Sequence, residues 1–400
     1  MQPGLRIGVF FGIPLYIHPS WFYIFVILTW VYGLRYVSLH RDSGFLGLLA
    51  GLLMVIGLFS SVLIHELGHS LVARSFGIKV SSITLFLFGG VAAIEQEPKT
   101  PGQTFQIAIA GPTVSVLIAG VLILMNRFNS RSIIGDVGDT LGGINLTLGL
   151  FNLIPGLPLD GGQMLKAIVW KLTGDRFKGV YWAATMGLLL GWFAIIFGLW
   201  TALLGESQGF WMALLGWFVV QNAGTTKRFA HIQQALVAIK AGDAMGREFR
   251  VLDANLTLRQ FADDYVISES PSPIYFTASK GRYVGMISIE SLRSIERSQW
   301  ESKTLHDISQ PLTEIDGVTE KTSLLLVINQ IEVKSLRRIT VLSPTGGVAG
   351  VIDRGDIVRA LAGRLKSRLS ESDVRRIKEE GTYPPDLPLS AIAKAYSDLS

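Results

Sequence analysis

The stretch Ser60-Ser61-Val62-Leu63-Ile64-His65-Glu66-Leu67-Gly68-His69-Ser70 places the pattern His-Glu-x-x-His inside an apolar segment that begins near Phe45. Residues four apart lie on one face of a helix, so His65 and His69 can direct imidazole nitrogens toward one metal ion. Zinc is the metal typical of this pattern, with Glu66 beside it as a candidate base. Ionisable groups are costly in an apolar span and usually serve a function there, which favours a metal site over a chance match.

The composition indicates an integral membrane protein joined to a soluble part. The chain has 400 residues, of which 49% are hydrophobic and 17% are charged, and its mean hydropathy is +0.41. Long apolar runs extend from Ser20 to about Asn222, whereas residues 240–361 have an ordinary globular composition. The net charge of +5 is spread over short loops, which argues against nucleic-acid binding. Because the chain has no cysteine, thiolate ligands and disulfides are excluded.

About six apolar runs are expected to cross the membrane as helices. They are residues 21–34, 45–73, 105–125, a run that begins near 141, 180–203 and 210–221. Residues 83–95 are too short for a helical span, and the β-branched and aromatic residues around Gly89-Gly90 predict a β-hairpin. The segment before the first run, residues 12–20, predicts an extended approach at the membrane interface. Its His18 is either an interfacial residue or a neighbour of the metal.

The fourth apolar run cannot remain helical to its end. It runs into Phe151-Asn152-Leu153-Ile154-Pro155-Gly156-Leu157-Pro158-Leu159-Asp160-Gly161-Gly162, where prolines and glycines must open the backbone toward protein or a water-filled cavity. Asp160 is the candidate third ligand, because a catalytic zinc usually has three protein ligands and a water. A helix-capping aspartate is the alternative. Asn152 is placed to stabilise negative charge on a substrate oxygen, and a packing role fits its spacing equally well.

The Lys and Arg residues of the short loops predict the orientation in the membrane. With the amino terminus inside, the inner segments hold ten of these residues and the outer loops hold four. We therefore expect a multi-pass protein of a bacterial-type cell membrane, with both termini in the cytoplasm.

A sequence repeat follows the apolar part. Residues 285–292 match residues 350–357 at a spacing of 65, and residues 243–245 match 307–309 at a spacing of 64. Each copy predicts the order strand, helix, strand, strand, helix. The domains expected are a membrane core (1–228), two soluble copies (229–300 and 301–365) and a flexible tail (366–400). The tail has few apolar residues, although residues 387–396 have the pattern of a short helix.

The two motifs of the apolar part resemble those of the site-2 protease family of intramembrane zinc metalloproteases. They are His65-Glu66-x-x-His69 and Asn152-x-x-Pro155-x-x-Pro158-x-Asp160-Gly161-Gly162, and the resemblance extends over nearly all of residues 1–225. It implies one Zn²⁺ per chain held by His65, His69 and Asp160, with Glu66 as catalytic base and Asn152 as transition-state donor. The PDZ-like insert that follows the hairpin in some members is absent from this sequence.

The implied activity is cleavage of a membrane-spanning protein within or beside its transmembrane segment. A membrane-bound transcription factor or anti-sigma factor is the substrate class that this implies. The hairpin residues Phe88, Gly89, Gly90 and Val91 are expected to pair with the unwound substrate as an added strand. Two other classes stay open, a transporter gated by the soluble repeat and an inactive scaffold of the same fold. A transporter, however, has no need of a glutamate beside two zinc-spaced histidines.

The soluble repeat is similar to a pair of cystathionine-β-synthase-type (CBS) domains. Such modules often bind adenine nucleotides, ATP or AMP, through a hydroxyl residue and a ribose-binding Asp three positions later. The first copy has Ser288 but Ser291 in place of Asp, and the second has Asp356 but Asp353 in place of the hydroxyl. Ser288 and Asp356 are thus candidate nucleotide contacts, and a homodimer formed through the pair is the alternative role.

The fold expected from all of these features is a polytopic α-helical membrane protein with a membrane-associated β-hairpin. A soluble α/β CBS-domain pair follows it. The partners expected are the lipid bilayer and a membrane-spanning substrate.

Overall fold

The computed structural model describes residues 4–39, 44–87, 89–126, 132–266, 274–367, 369–385 and 387–397. The chain divides into two compact units, with the boundary after His231. This boundary lies three residues beyond the predicted end of the membrane core. Each unit is described by itself below.

The first unit contains four strands, six helices and most of a seventh helix, α7, within the described ranges. Their bounds are β1 (Leu5–Phe10), β2 (Ile13–Ile17), α1 (Ser20–Leu39), α2 (Gly44–Ser75), β3 (Val80–Phe86), β4 (Gly89–Ile94), α3 (Pro101–Asn126), α4 (Ile133–Asn152), α5 (Asp160–Thr173), α6 (Arg176–Leu203) and α7 (Gln208–Ala238). Four of these helices, α1, α2, α3 and α6, are long and apolar enough to cross a membrane. The expected count of about six spans is therefore not confirmed.

Helix α2 lies at the centre of this unit. It packs against α1, α3, α4 and the strands β3 and β4, and its length of 32 residues exceeds what a bilayer crossing requires. Its buried side chains include Met54 and Val55, which precede the His-Glu-x-x-His pattern, and Leu67, which lies between the two histidines in the sequence. The His-Glu-x-x-His pattern is thus on a helix that other elements surround.

The four strands form one sheet in the order β1-β2-β3-β4. The predicted hairpin is present as the antiparallel pair β3 and β4, in which Thr84 is opposite Val91. The extended segment before the first span also joins this sheet, because β2 pairs in parallel with β3 from Leu15 opposite Ile83 onward. One side of β2 and β3 packs against α2. Strand β4 is at an edge of this sheet, so one side of its backbone has no neighbouring strand in the described part of the chain.

The predicted break after the fourth run is present between α4 and α5. Residues 153–159 form turns, and the amide of Leu157 donates to the carbonyl of Ala183 on α6 at 3.1 Å. Side chains at Gly161 and Gly162 would overlap the backbone of residues 153–157. The two glycines that follow Asp160 therefore allow the broken segment to fold back on the start of α5.

Helix α4 begins earlier than predicted, at Ile133 rather than near 141. The Ser132 hydroxyl accepts a hydrogen bond from the amide of Gly135 at 3.1 Å and caps the helix. The two additional turns contain Asp136 and Asp139, which is why apolarity alone placed the start of this helix too late.

The second unit contains eight helices and seven strands in the described ranges. The first copy consists of α8 (Ala241–Ala244), β5 (Phe249–Asp253), α9 (Leu258–Phe261), β6 (Ile274–Ser279), β7 (Arg282–Ile287) and α10 (Ile289–Arg293). The second copy consists of α11 (Leu305–Ile308), β8 (Gln310–Pro311), β9 (Gly317–Thr319), α12 (Leu324–Val333), β10 (Arg338–Leu342), β11 (Val348–Asp353) and α13 (Arg354–Leu365). The chain ends with α14 (Glu371–Glu380) and α15 (Leu389–Ser397).

The predicted repeat is present in the strand pairing. In the first copy β5 and β6 are parallel and β6 and β7 antiparallel, and in the second copy β9, β10 and β11 pair in the same way. Gly246 forms a β-bridge with Val351, and Gln310 pairs with Met286. Gln310 lies 64 positions after Gly246, and Val351 lies 65 positions after Met286, so the two pairs are equivalent in the repeat. The two copies are thus related by pseudo-symmetry.

The C-terminal stretch differs from the flexible tail that the sequence predicted. Val374 and Ile377 of α14 and Leu389 and Ile392 of α15 are buried, and most of them join the hydrophobic core of the second copy. These apolar residues are few, but their spacing of three places each pair on one helix face. Counting apolar residues therefore underestimated how firmly this stretch packs.

Candidate metal centre

Three side chains of metal-ligand type meet beside the break between α4 and α5. His65 and His69 lie one turn apart on α2, and their Nε2 atoms are 3.2 Å apart. Asp160 is the first residue of α5, and its Oδ2 is 3.3 Å from each Nε2 atom. Both histidines are buried, whereas Asp160 is partly exposed. The structure therefore brings together the three predicted ligands, which come from positions 95 residues apart.

The spacing of these three atoms fits a tetrahedral zinc ion. Zinc lies about 2.0–2.1 Å from its nitrogen and oxygen ligands, so neighbouring ligand atoms of a tetrahedral ion are about 3.3–3.4 Å apart. The separations of 3.2–3.3 Å between Nε2, Nε2 and Oδ2 are close to this value. Two imidazoles and one carboxylate also match the donor set of a catalytic zinc with one open position.

Helix α3 orients both imidazole rings from the side opposite Asp160. The Nδ1 of His65 lies 2.9 Å from the Ser115 hydroxyl, and the Nδ1 of His69 lies 2.6 Å from the Ile107 carbonyl oxygen. Because a carbonyl only accepts, the His69 proton is on Nδ1 and the lone pair is on Nε2. Such partners fix the tautomer and the ring orientation of metal-binding histidines.

Gly111 of α3 gives the two rings the room they need. A β-carbon at this position would lie 2.7 Å from the Nε2 of His65 and closer still to the Nε2 of His69. Both distances are well inside van der Waals contact. The contact of Gly111 with the ligand atoms was not predicted from the sequence.

Glu66 lies between α2 and the edge strand β4. A β-carbon on Gly90 would lie 2.7 Å from the Cγ of Glu66, so this side chain lies against the backbone of β4. The predicted base is therefore next to the strand that the sequence proposes as a substrate edge. Gly89, Gly90 and Val91 lie on β4, and the fourth predicted pairing residue, Phe88, is outside the described residues.

An ion-pair cluster joins the segment after β4 to α5 and α6. The Glu97 carboxylate is 3.3 Å from the Nζ of Lys166 and 2.6 Å from the Nη2 of Arg176. Lys166 is buried and lies on α5, the helix that begins with Asp160. Partial burial would raise the pKa of the Glu97 carboxyl, but Lys166 and Arg176 outweigh this and hold the pKa below its usual value. No sequence motif indicated this cluster.

Two other predicted residues lie outside the ligand group. Asn152 is the half-buried last residue of α4, and its role as a transition-state donor stays a prediction. His18 follows β2, and its Nδ1 is 2.8 Å from the Ser20 hydroxyl, while the described group of ligand type consists of His65, His69 and Asp160.

The candidate nucleotide contacts of the second unit line two different clefts. Ser288 caps α10 and lines a first cleft of about 540 Å³, together with Glu290, Arg337 and Arg338. Asp356 lines a second cleft of about 50 Å³. Its side chain is only 4% exposed and is paired with Lys378 of α14 at 2.9 Å.

Comparisons with known proteins identify a protein family and several relatives. The pattern of Peptidase family M50 matches residues 53–138 and 130–194. A protein of Synechocystis sp. whose name describes a zinc metalloprotease is 40% identical over 90% of this chain and 96% of its own length. A zinc metalloprotease of Methanocaldococcus jannaschii is 31% identical over 90% of this chain and 97% of its own. The solved structure of a site-2 protease from that organism is 34% identical, with a TM-score of 0.40, and covers 56% of this chain and 95% of its own.

Proposed function

Because this chain belongs to peptidase family M50, the family of the site-2 zinc metalloproteases, we propose that it cleaves membrane-spanning regulatory proteins within or beside their transmembrane segments. The observation that carries this proposal is the meeting of His65, His69 and Asp160 beside Glu66, next to the edge strand β4. Zinc bound by these three residues would supply a Lewis acid that acidifies a water molecule and polarises the scissile carbonyl.

The protein's own side chains would move the protons of the reaction. The Glu66 carboxylate accepts a proton from water as the water oxygen bonds to the carbonyl carbon. Glu66 then delivers this proton to the nitrogen of the leaving amine as the C–N bond breaks. The Asn152 amide would donate a hydrogen bond to the carbonyl oxygen while negative charge develops on it.

Substrate binding would use the backbone of β4. A transmembrane helix satisfies its peptide groups internally, so the substrate must unwind before a carbonyl can reach the site. The open edge of β4 can pair with the unwound segment as an added strand, which brings it alongside Glu66. Substrates with Gly, Pro or Asn near the cut should therefore be preferred.

The CBS-type pair is proposed as a cytoplasmic control element. The first cleft is large enough for a nucleotide, and Arg337 and Arg338 line it together with Glu290, Glu314 and Asp316. A ligand changes the activity only if it binds one arrangement of the protein more tightly than another. Regulation by ATP or AMP is the form of control that we propose, and assembly into a homodimer is its alternative.

Two substitutions separate metal binding from proton transfer. Asp160→Ala should lower the zinc content of the purified protein, whereas Glu66→Gln should retain zinc and abolish cleavage of a single-span reporter that carries a helix-breaking Asn-Gly-Pro. Metal analysis and product analysis by mass spectrometry measure the two effects. Asp139→Ala is the matched control, because Asp139 is an exposed aspartate of α4. Full zinc occupancy in Asp160→Ala, or normal cleavage by Glu66→Gln, would contradict the proposal.

A further inference from the structure

The pseudo-symmetry of the repeat creates two equivalent clefts in the second unit. The first cleft is lined by Gln310, Met286 and Ser288. The second is lined by Gly246, Val351 and Asp353, which occupy the same positions one repeat away. Equivalent positions should give clefts of similar size. The volumes are instead about 540 Å³ and about 50 Å³, a difference that needs a physical cause.

Helix α14 fills the second cleft with the side chain of Lys378. The Nζ atom lies 2.9 Å from Asp356, 3.3 Å from Glu248 and 3.5 Å from Asp353. These carboxylates come from both copies, because Glu248 precedes β5 and the two aspartates flank the start of α13. Lys378 thus occupies the position from which a bound polar group would contact Asp356.

The absence of a side chain at Gly355 leaves space for the side chain of Lys378. A β-carbon on Gly355 would lie 2.5 Å from the Cγ of Lys378 and 3.0 Å from the carbonyl oxygen of Val374. Val374 and Ile377 are buried on the same face of α14, so the helix is held at the mouth of the cleft by apolar contacts as well as by charge. Partial burial would lower the pKa of Lys378, but its contacts with Asp356 and Asp353 outweigh this and raise the pKa.

Within the part of the chain that the structure describes, the first cleft has no such occupant. After α10 the chain continues into the second copy through α11, whereas α13 is followed by α14. At the position equivalent to Asp356 the first copy has Ser291, so the carboxylate nearest to Lys378 in the second cleft has no counterpart at this position. The difference in volume between the two clefts therefore follows from helix α14 and from one position of the repeat, which is Ser291 in the first copy and Asp356 in the second.

We propose that α14 is a built-in occupant of the second cleft, so that the CBS-type pair offers one ligand cleft at rest and gains a second only when α14 moves aside. The ligand class rests on the nucleotide regulation proposed above, but the occupancy by Lys378 does not. In the opened cleft Asp356 would accept hydrogen bonds from the ribose hydroxyls of a nucleotide. These hydrogen bonds would replace its present contact with Lys378.

The number of AMP molecules bound per chain tests this proposal. Equilibrium dialysis of the full-length protein in detergent should give one AMP per chain for the wild type. Lys378→Ala should add a second site with at least tenfold weaker affinity, and Lys378→Ala with Asp356→Asn should return the number to one. Lys321→Ala, a change at an exposed lysine, is the matched control and should bind one. Two sites in the wild type, or one site in a folded Lys378→Ala, would overturn the proposal.

The accessibility of Lys378 provides a readout that does not depend on nucleotide. An amine-reactive reagent followed by peptide mapping should label Lys378 at least tenfold more slowly than Lys321 in the wild-type protein. Asp356→Asn should reduce the difference in labelling rate between Lys378 and Lys321. Labelling of Lys378 as fast as Lys321 would overturn the occupancy. If no variant binds AMP while Lys378 is protected, the ligand class is wrong and the built-in occupant is supported.

Discussion

Gly111 has a strict steric requirement at the metal centre. Gly111→Ala would place a methyl group against both Nε2 atoms, so at least one imidazole must turn away from the ion. Loss of an outer partner of a metal ligand costs about 10–100-fold in affinity, and displacement of a ligand itself should cost at least as much. Zinc content and the dissociation constant of Gly111→Ala measure this effect.

Gly120 provides the control on the same helix. A β-carbon at Gly120 meets no atom within 4 Å, so Gly120→Ala should retain zinc and activity. If Gly111→Ala bound zinc as tightly as Gly120→Ala, the rings would have room that the structure does not give them.

The three metal ligands could be predicted from the sequence, but the groups that orient the two imidazole rings could not. His65 and His69 lie four positions apart, and Asp160 is in a segment whose prolines and glycines are visible in the sequence. Ser115 and the Ile107 carbonyl contact the same rings from α3, but a lone serine and a backbone oxygen carry no sequence signal. Such partners become evident only when the packing of α2 against α3 is known.

The ion pairs of Glu97 with Lys166 and Arg176 connect the segment after β4 to helices α5 and α6. Glu97→Gln leaves the buried Lys166 ammonium without its anion and should destabilise the fold by about 1–2 kcal/mol, between the values for exposed and buried pairs. Because the pKa of Glu97 is lowered on folding, this stabilisation is fully present above the unfolded-state pKa of about 4.3 and is lost as the pH falls through the lower folded-state pKa. Unfolding of both proteins in detergent, measured at pH 7 and near pH 3, checks this prediction.

The stability gap between wild type and Glu97→Gln should be clear at pH 7 and small in acid. Comparing the two proteins at each pH removes effects of acid that they share, such as protonation of the histidines. A gap of equal size at both pH values would show that the Glu97 charge does not stabilise the fold.

The edge of β4 is the element on which the proposed substrate binding depends. Proline substitution at single positions from Val91 to Ile94 removes one backbone donor at a time. At positions whose amide points away from β3, cleavage should fall at least tenfold with the zinc content unchanged. The same scan along β1, the other edge of the sheet, should leave the rate unchanged. Equal effects at both edges would contradict strand addition at β4.

The elements that sequence reasoning missed depend on long-range contacts. The hairpin β3–β4 was predicted because its two strands are adjacent in sequence and Gly89-Gly90 marks their junction, at the start of β4. Strand β2 pairs with β3 across the whole of α1 and α2, and nothing in residues 13–17 indicates that partner. The packing of α14 likewise follows from a core that only the folded second copy provides.

The orientation of the whole molecule can be mapped because the sequence has no cysteine to remove. If both termini are cytoplasmic, Glu206→Cys between α6 and α7 should react with a membrane-impermeant maleimide on intact cells. Lys321→Cys in the second unit should react only after lysis. Both side chains are exposed, so accessibility to the reagent reports the side of the membrane. Labelling in the opposite pattern would reverse the proposed topology.

The distance along the chain between His65 and Asp160 also affects biogenesis. A ribosome adds about 5–20 residues per second, so about 5–20 s pass between synthesis of the second histidine ligand and that of the aspartate. During this interval α2 enters the bilayer with Glu66 and an incomplete ligand set. We therefore expect the nascent chain to be unable to hydrolyse neighbouring membrane proteins until α5 has been made, so that the order of synthesis protects the membrane in which the enzyme is assembled.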